Sequence, residues 1–131
     1  LYPLGVAGRG LLSKHPIRSA ALVERSGERG ILECELEIHG RPLRIHVVHL
    51  SLLAALDGLA EPTAQDLFQS ARALLSAAGD QGVPGLLVGD FNSTETSAIY
   101  GRLLDLGLVD GYRLGGGGFG FSFPIGNRYP F

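Results

Sequence analysis

One cysteine, one lysine and no methionine occur in 131 residues. A lone Cys34 excludes a disulfide framework or a thiolate-metal cage within the chain. It falls at an inward position of a predicted strand, where a small core hydrophobe is expected. Lys14 is the only lysine, and the ten arginines are scattered, so no basic stripe is present. Phosphate contacts supply most nucleic-acid affinity, and their absence as a cluster tilts away from duplex DNA. It leaves room for a nuclease whose basic surface lies on other segments. No apolar run reaches the roughly 18–20 residues that span a bilayer. There is also no basic leader with a cleavage site. The opening LYPLGVAGRG reads as the middle of a longer protein.

The chain is 45% hydrophobic and 18% charged, with a net charge of −2 and a pI near 6.1. That composition is not a disordered one, and the length is that of one domain able to bury a core. GRGLLSKHPI (8–17) reads as a short strand stopped at Lys14-His15-Pro16. AALVER (20–25) and ILECELEI (31–38) are strands joined by a turn-like SGERG. In the second, Leu32, Cys34, Leu36 and Ile38 alternate with Glu33, Glu35 and Glu37. A tight turn at HGRP precedes LRIHVVHL (43–50). With Gly40-Arg41 as loop residues, Glu37 pairs with Arg44 and Glu35 with His46. The three glutamates are either a metal platform or, as expected, a solvated face opposite complementary charge. The same register turns His46 outward and holds His49 at the lip of the core.

The stretch 51–63 is loop-like and rich in leucine and alanine. Thr63 caps a predicted helix over 64–79, with Leu67, Phe68, Ala71, Leu74, Leu75 and Ala78 along one face. VPGLLVGD (83–90) has the continuous apolar run of a strand buried on both sides. A second helix is predicted over 96–107. The four glycines at 115–118 read as a mobile loop; a phosphate cradle would need a strand before and a helix after. Antiparallel hairpins followed by helices indicate a mixed α and β domain.

Two strands end on groups with chemistry: His49 after RIHVV, and Asp90 with Asn92 after GLLV. Loops at strand ends collect ligand sites because a rigid scaffold positions them. A carboxylate beside a buried strand needs a cation or donors to offset its desolvation. Mg²⁺ takes carboxylate and amide oxygens while keeping several waters. Imidazole can donate to a phosphate oxygen as charge builds. The same Asp-x-Asn spacing also makes an ordinary turn, because both side chains bond nearby backbone N–H groups. Spacing alone leaves both readings open.

GLLVGDFNST (85–94) resembles the Gly-Asp-Phe-Asn signature of the endonuclease/exonuclease/phosphatase superfamily. These are metal-dependent phosphoesterases that include pancreatic-type deoxyribonuclease, neutral sphingomyelinases and inositol-polyphosphate phosphatases. Other pieces follow in the family's order. GRGLLSKHPI is similar to its Gly-x-x-hydrophobic-hydrophobic-Ser-(Arg/Lys)-x-Pro-Ile segment, and ILECELEIHGRPLRIHVVHL to its strand-turn-strand ending in His-Leu. DLFQSARALL is similar to its Arg-x-x-Gln helix, with Asp66 in the arginine's place as an expected surface change. LLDLGLVDGYR and GFSFPIGNRYPF are similar to the elements that follow the signature.

The resemblance implies an α+β fold, a two-sheet β-sandwich flanked by helices in four αββα layers, incomplete here. Residues 1–131 would be the central part of a single such domain. It implies that His49 contacts the scissile phosphate, that Asp90 serves the metal and nucleophile site, and that Asn92 helps hold phosphate or metal. The implied cofactor is Mg²⁺ or Mn²⁺, and the implied partner is a phosphate ester: nucleic acid, phospholipid or inositol phosphate. The family also carries a Gln-Glu motif whose glutamate binds metal, and an Asp-His pair with acid/base work. Neither pair occurs in these residues. His15 and His39 sit in turns and replace nothing. The expectation is a metal-dependent phosphoesterase as part of a longer protein, the 131 residues alone having little or no activity. The alternative is a binding or scaffold module that keeps the fold without catalysis.

Overall fold

The computed structural model describes residues 2–6, 9–23, 30–51 and 62–116. Strand β1 (Tyr2–Val6) pairs antiparallel with β2 (Arg9–Ser13) in one sheet. A second sheet has the order β3 (Ile17–Val23), β4 (Ile31–Ile38), β5 (Arg41–His49), β6 (Gly85–Asp90). Its first three strands are antiparallel neighbours, whereas β5 and β6 run parallel. The parallel step requires a crossover, which includes helix α1 (Pro62–Gln81). Helices α2 (Ala98–Asp105) and α3 (Gly111–Gly115) follow β6.

The β4–β5 hairpin turns at His39 and Gly40, whose φ values are 50° and 77°. Two left-handed residues make the tight turn whose twist matches paired strands. Ile38 therefore faces Arg41, which pairs Glu35 with Arg44, Glu33 with His46 and Glu37 with Pro42. This corrects the register expected from a Gly40-Arg41 loop by two residues. Side-chain parity survives a two-residue shift, so the same residues still share each face.

The inward face of β4 and β5 gathers Leu32, Cys34, Leu36 and Ile45, with Leu11 of β2 packed against them. The two sheets thus meet there as a sandwich. Cys34 is a buried free thiol whose pKa is raised by desolvation, in keeping with a core role.

The opposite face carries the second core: Ile31, Val48 and Leu50 against Ala64, Leu67, Phe68 and Ala71 of α1 and Ile99 and Leu103 of α2. Burying a leucine fully contributes about 1.5–3 kcal/mol, so Leu50 and Leu67 are strong anchors of this layer.

Helix α1 continues through Gly79, the expected stop, and ends before Gly82, whose φ is +65°. There Val83 N–H donates to Ala77 O at 3.2 Å, a wrap that closes the last turn. Thr63 lies inside the first turn, and its Oγ1 accepts from Ser51 N–H at 3.4 Å.

Three further expectations are corrected. His46 is not a surface residue: it is 4% exposed, because the face it shares with Val48 is covered by α1. Its Nδ1 is hydrogen-bonded to Ser70 Oγ, itself fully buried. Asp66 is likewise 3% exposed and faces inward, so the change from the family's arginine is not a surface one. Strand β6 is not covered on both sides either. Leu87 packs on the helical core, while Leu86 and Val88 are 48% and 37% exposed. The continuous apolar run hides this difference between its two faces.

The glutamate face is half-buried and paired: Glu35 with Arg44 at 3.6 Å, and Glu37 with Arg18. Of the four glycines, Gly115 ends α3 and Gly116 caps it, and the other two lie outside the described residues. Most of the 51–63 loop and the closing GFSFPIGNRYPF lie outside them as well. Among the described residues no helix is long and apolar enough to cross a membrane.

Candidate active site

Parallel pairing places the carboxyl ends of β5 and β6 at the same rim. His49 is paired with Asp90 in the last step of that register. Neighbouring strands lie about 4.8 Å apart, so two residues 41 positions apart in sequence stand side by side. Just before them, Gly89 is paired with Val48 and has φ +131°. A Cβ there would lie 2.0 Å from Val48 O, so only glycine permits this approach.

Beyond the strands the chain is tied in both directions. Leu50 N–H donates to Asp90 O at 2.9 Å, which extends the pairing one step past His49. Asn92 has φ 43° and donates its backbone N–H to Asp90 Oδ1 at 2.9 Å. Its side-chain Nδ2 donates to Leu50 O at 2.8 Å. The turn expected of Asp-x-Asn is therefore present. It commits one carboxylate oxygen of Asp90 and the amide nitrogen of Asn92. Among the described residues, Asp90 Oδ2 and Asn92 Oδ1 accept no hydrogen bond. Asp90 is exposed, whereas His49 and Asn92 are half-buried.

The next residue adds a group that the sequence pattern does not single out. Ser93 Oγ is buried and has no hydrogen-bond partner among the described residues. A serine after an asparagine carries no distinguishing signal in sequence. Arg9 is equally silent in the sequence: it is 5% exposed at the start of β2, and its Nη2 donates to His49 O at 3.4 Å. His15 and His39 stack edge to face at 5.7 Å at the hairpin end, away from the rim, as their turn contexts implied.

The donor set suits a hard cation with few protein ligands. Mg²⁺ is commonly bound through one or two carboxylates and keeps several waters. Asp90 and Asn92 offer one carboxylate and one amide oxygen of that kind. Among the described residues no cluster of three or more His, Cys, Asp or Glu side chains is placed to hold an ion. Asp90 and Asn92 could hold such an ion through two protein oxygens.

Residues 2–131 match the profile of the Endonuclease/Exonuclease/phosphatase family. The chain belongs to that family. Its described architecture, a two-sheet sandwich with helices packed on one outer face, is the α+β fold of the family. The catalytic domain of human nocturnin, solved with bound sulfate, superposes with a TM-score of 0.58 at 23% identity. That match covers 80% of this chain and 41% of the nocturnin chain, so the residues span well under half of it. Sphingomyelinase C from Streptomyces griseocarneus aligns at 22% identity with a TM-score of 0.48, over 75% of this chain and 37% of its own. No curated protein matches the chain in sequence.

Proposed function

We propose that the intact protein is a Mg²⁺- or Mn²⁺-dependent hydrolase of phosphate esters, with His49, Asp90 and Asn92 in its active site. The observation that carries this reading is the in-register pairing of His49 with Asp90 at one rim, in a chain of this family. Asp90 and Asn92 would supply protein oxygens to the cation, whose chemistry there is to offset phosphate charge and favour ionisation of water. His49 donates to a non-bridging oxygen as negative charge develops. Asn92, locked by Leu50 O and Asp90 Oδ1, presents its Oδ1 without further rearrangement. Pre-organisation of this kind lowers the barrier because no group must be ordered during reaction.

Nucleic acid, phospholipid and inositol phosphate are all compatible substrates. The scattered arginines and mild acidity weigh against duplex DNA. The competing reading, a binding module without catalysis, draws on the turn hydrogen bonds that already occupy part of Asp90 and Asn92.

The deciding experiment measures hydrolysis of bis(p-nitrophenyl) phosphate by the intact protein with and without Mg²⁺. Asp90→Ala is expected to reduce metal-dependent turnover to background. Full activity in that variant would remove Asp90 from the chemistry. No turnover in the wild type on this substrate, a DNA oligonucleotide, sphingomyelin or an inositol phosphate would favour the binding module.

A further inference from the structure

Two charged side chains are buried among the described residues, Arg9 and Asp66, and Arg9 belongs to the sandwich. Arg9 opens β2, in the sheet that does not contain His49 or Asp90, and is nine-tenths buried. Its guanidinium crosses the space between the sheets, and Nη2 donates to the backbone carbonyl of His49 at 3.4 Å. The carbonyl of the next residue, Leu50, accepts from Asn92 Nδ2 at 2.8 Å, and Leu50 N–H donates to Asp90 O at 2.9 Å. The last two carbonyls of this strand end are therefore held by side chains from two different directions. One comes from the opposite sheet, the other from the turn after β6.

We propose that Arg9 is a positioning residue for His49: by gripping the His49 carbonyl from the facing sheet, it fixes the end of β5 in register with Asp90. At 3.4 Å the bond is long for an N–H···O contact, but a charged donor in a water-poor setting strengthens it. The guanidinium is rigid and planar, so it transmits the position of β2 to His49 where a flexible lysine would not. Geometry of the rim then depends on how the two sheets sit, and not on the β5–β6 ladder alone. Misplacement of a reacting group by about 1 Å can lower a rate a hundredfold.

Arg9→Met and Arg9→Gln test this in the intact protein, with the His49 ring resonances and the Leu50 amide exchange rate read by NMR. Both variants are expected to move the His49 ring signals and to speed exchange at Leu50. The kinetic arm rests on the proposed phosphoesterase function: kcat on bis(p-nitrophenyl) phosphate should fall about tenfold to a hundredfold with KM within about twofold. His49 signals at their wild-type positions in either folded variant would overturn the proposal. So would a rise in KM alone, which would make Arg9 a direct substrate contact. The two readings separate through His49→Ala. If that variant keeps full activity while Arg9→Met still displaces the wild-type His49 ring, positioning stands and the assignment of His49 to the chemistry fails.

Discussion

Gly89 shows how much of the rim depends on one missing side chain. Its φ of +131° and the 2.0 Å that would separate an added methyl from Val48 O act together, one as backbone strain and one as overlap with main chain. The obstructing atom is backbone, so it cannot swing aside as a long side chain would. Strained backbone of this type costs about 1–3 kcal/mol and forced overpacking about as much again. Gly89→Ala should therefore lower unfolding free energy by about 2–6 kcal/mol in urea denaturation, or shift β6 away from β5. A variant within about 0.5 kcal/mol of wild type, the order of a neutral surface change, would show that the close approach is not maintained. The apolar residues Leu86 and Val88 before it are half open to solvent, so burial on that face does not compensate the loss.

Among the elements, α2 and α3 are joined by a polar contact with a defined pH signature. Asp110 caps α3, accepting from Tyr112 N–H at 2.8 Å and Arg113 N–H at 3.3 Å, and its other oxygen accepts from Tyr100 O–H of α2 at 2.8 Å. The Tyr100 hydroxyl, together with the α3 amides, holds the Asp110 carboxyl below its ordinary value, and Asp110 in turn raises the Tyr100 phenol. A depressed carboxyl contributes stability above its unfolded pKa, about 3.9, and loses it as pH falls through the lower folded value. A raised phenol contributes below about 10 and loses it as pH climbs through the folded value. The contact is thus fully present across the neutral range and fails at both extremes. Carbon-detected NMR titration should place the Asp110 midpoint below the ordinary aspartate value of about 3.9, with α3 amide signals moving in the same acid transition. An Asp110 midpoint at or above that ordinary value would sink the assignment.

The same elements show what was legible beforehand. Strand β4 is legible to the residue because Leu32, Cys34, Leu36 and Ile38 alternate with three glutamates, the period of a strand. The site was legible as an order of motifs; its geometry was not, because the parallel pairing of β5 with β6 is a long-range fact absent from local pattern. The hairpin register is not legible, since a left-handed residue other than glycine is uncommon and only the fold shows that His39 is one. His46 and Asp66 defeated a rule that sends polar side chains outward. The polar contact of His46 lies on Ser70 of another element, which alternation along a strand cannot report.

At the scale of the molecule, the question is how much of the proposed chemistry these residues can perform by themselves. The chain matches 41% of the nocturnin catalytic domain, and its sequence has neither the Gln-Glu nor the Asp-His pair that the family resemblance attaches to metal binding and acid/base work. Among the described residues the rim offers Asp90 and Asn92 as oxygen donors and no cluster of three or more ionisable ligands. The weakest oxygen sites hold divalent ions with a Kd of about 1 mM, and at about 1 mM Mg²⁺ binding of that strength adds only about 0.4 kcal/mol of stability. The 131-residue polypeptide should accordingly show no resolved Mg²⁺ shift in its melting transition at about 1 mM and no turnover of bis(p-nitrophenyl) phosphate above background. A version of the protein that supplies both missing pairs should gain Mg²⁺-dependent turnover, lost again on Asp90→Ala. Micromolar Mg²⁺ binding by the 131 residues, measured by titration calorimetry, would mean that further ligands lie outside the described segments. Metal-dependent hydrolysis by them would mean that His49, Asp90 and Asn92 need less help than the family pattern implies.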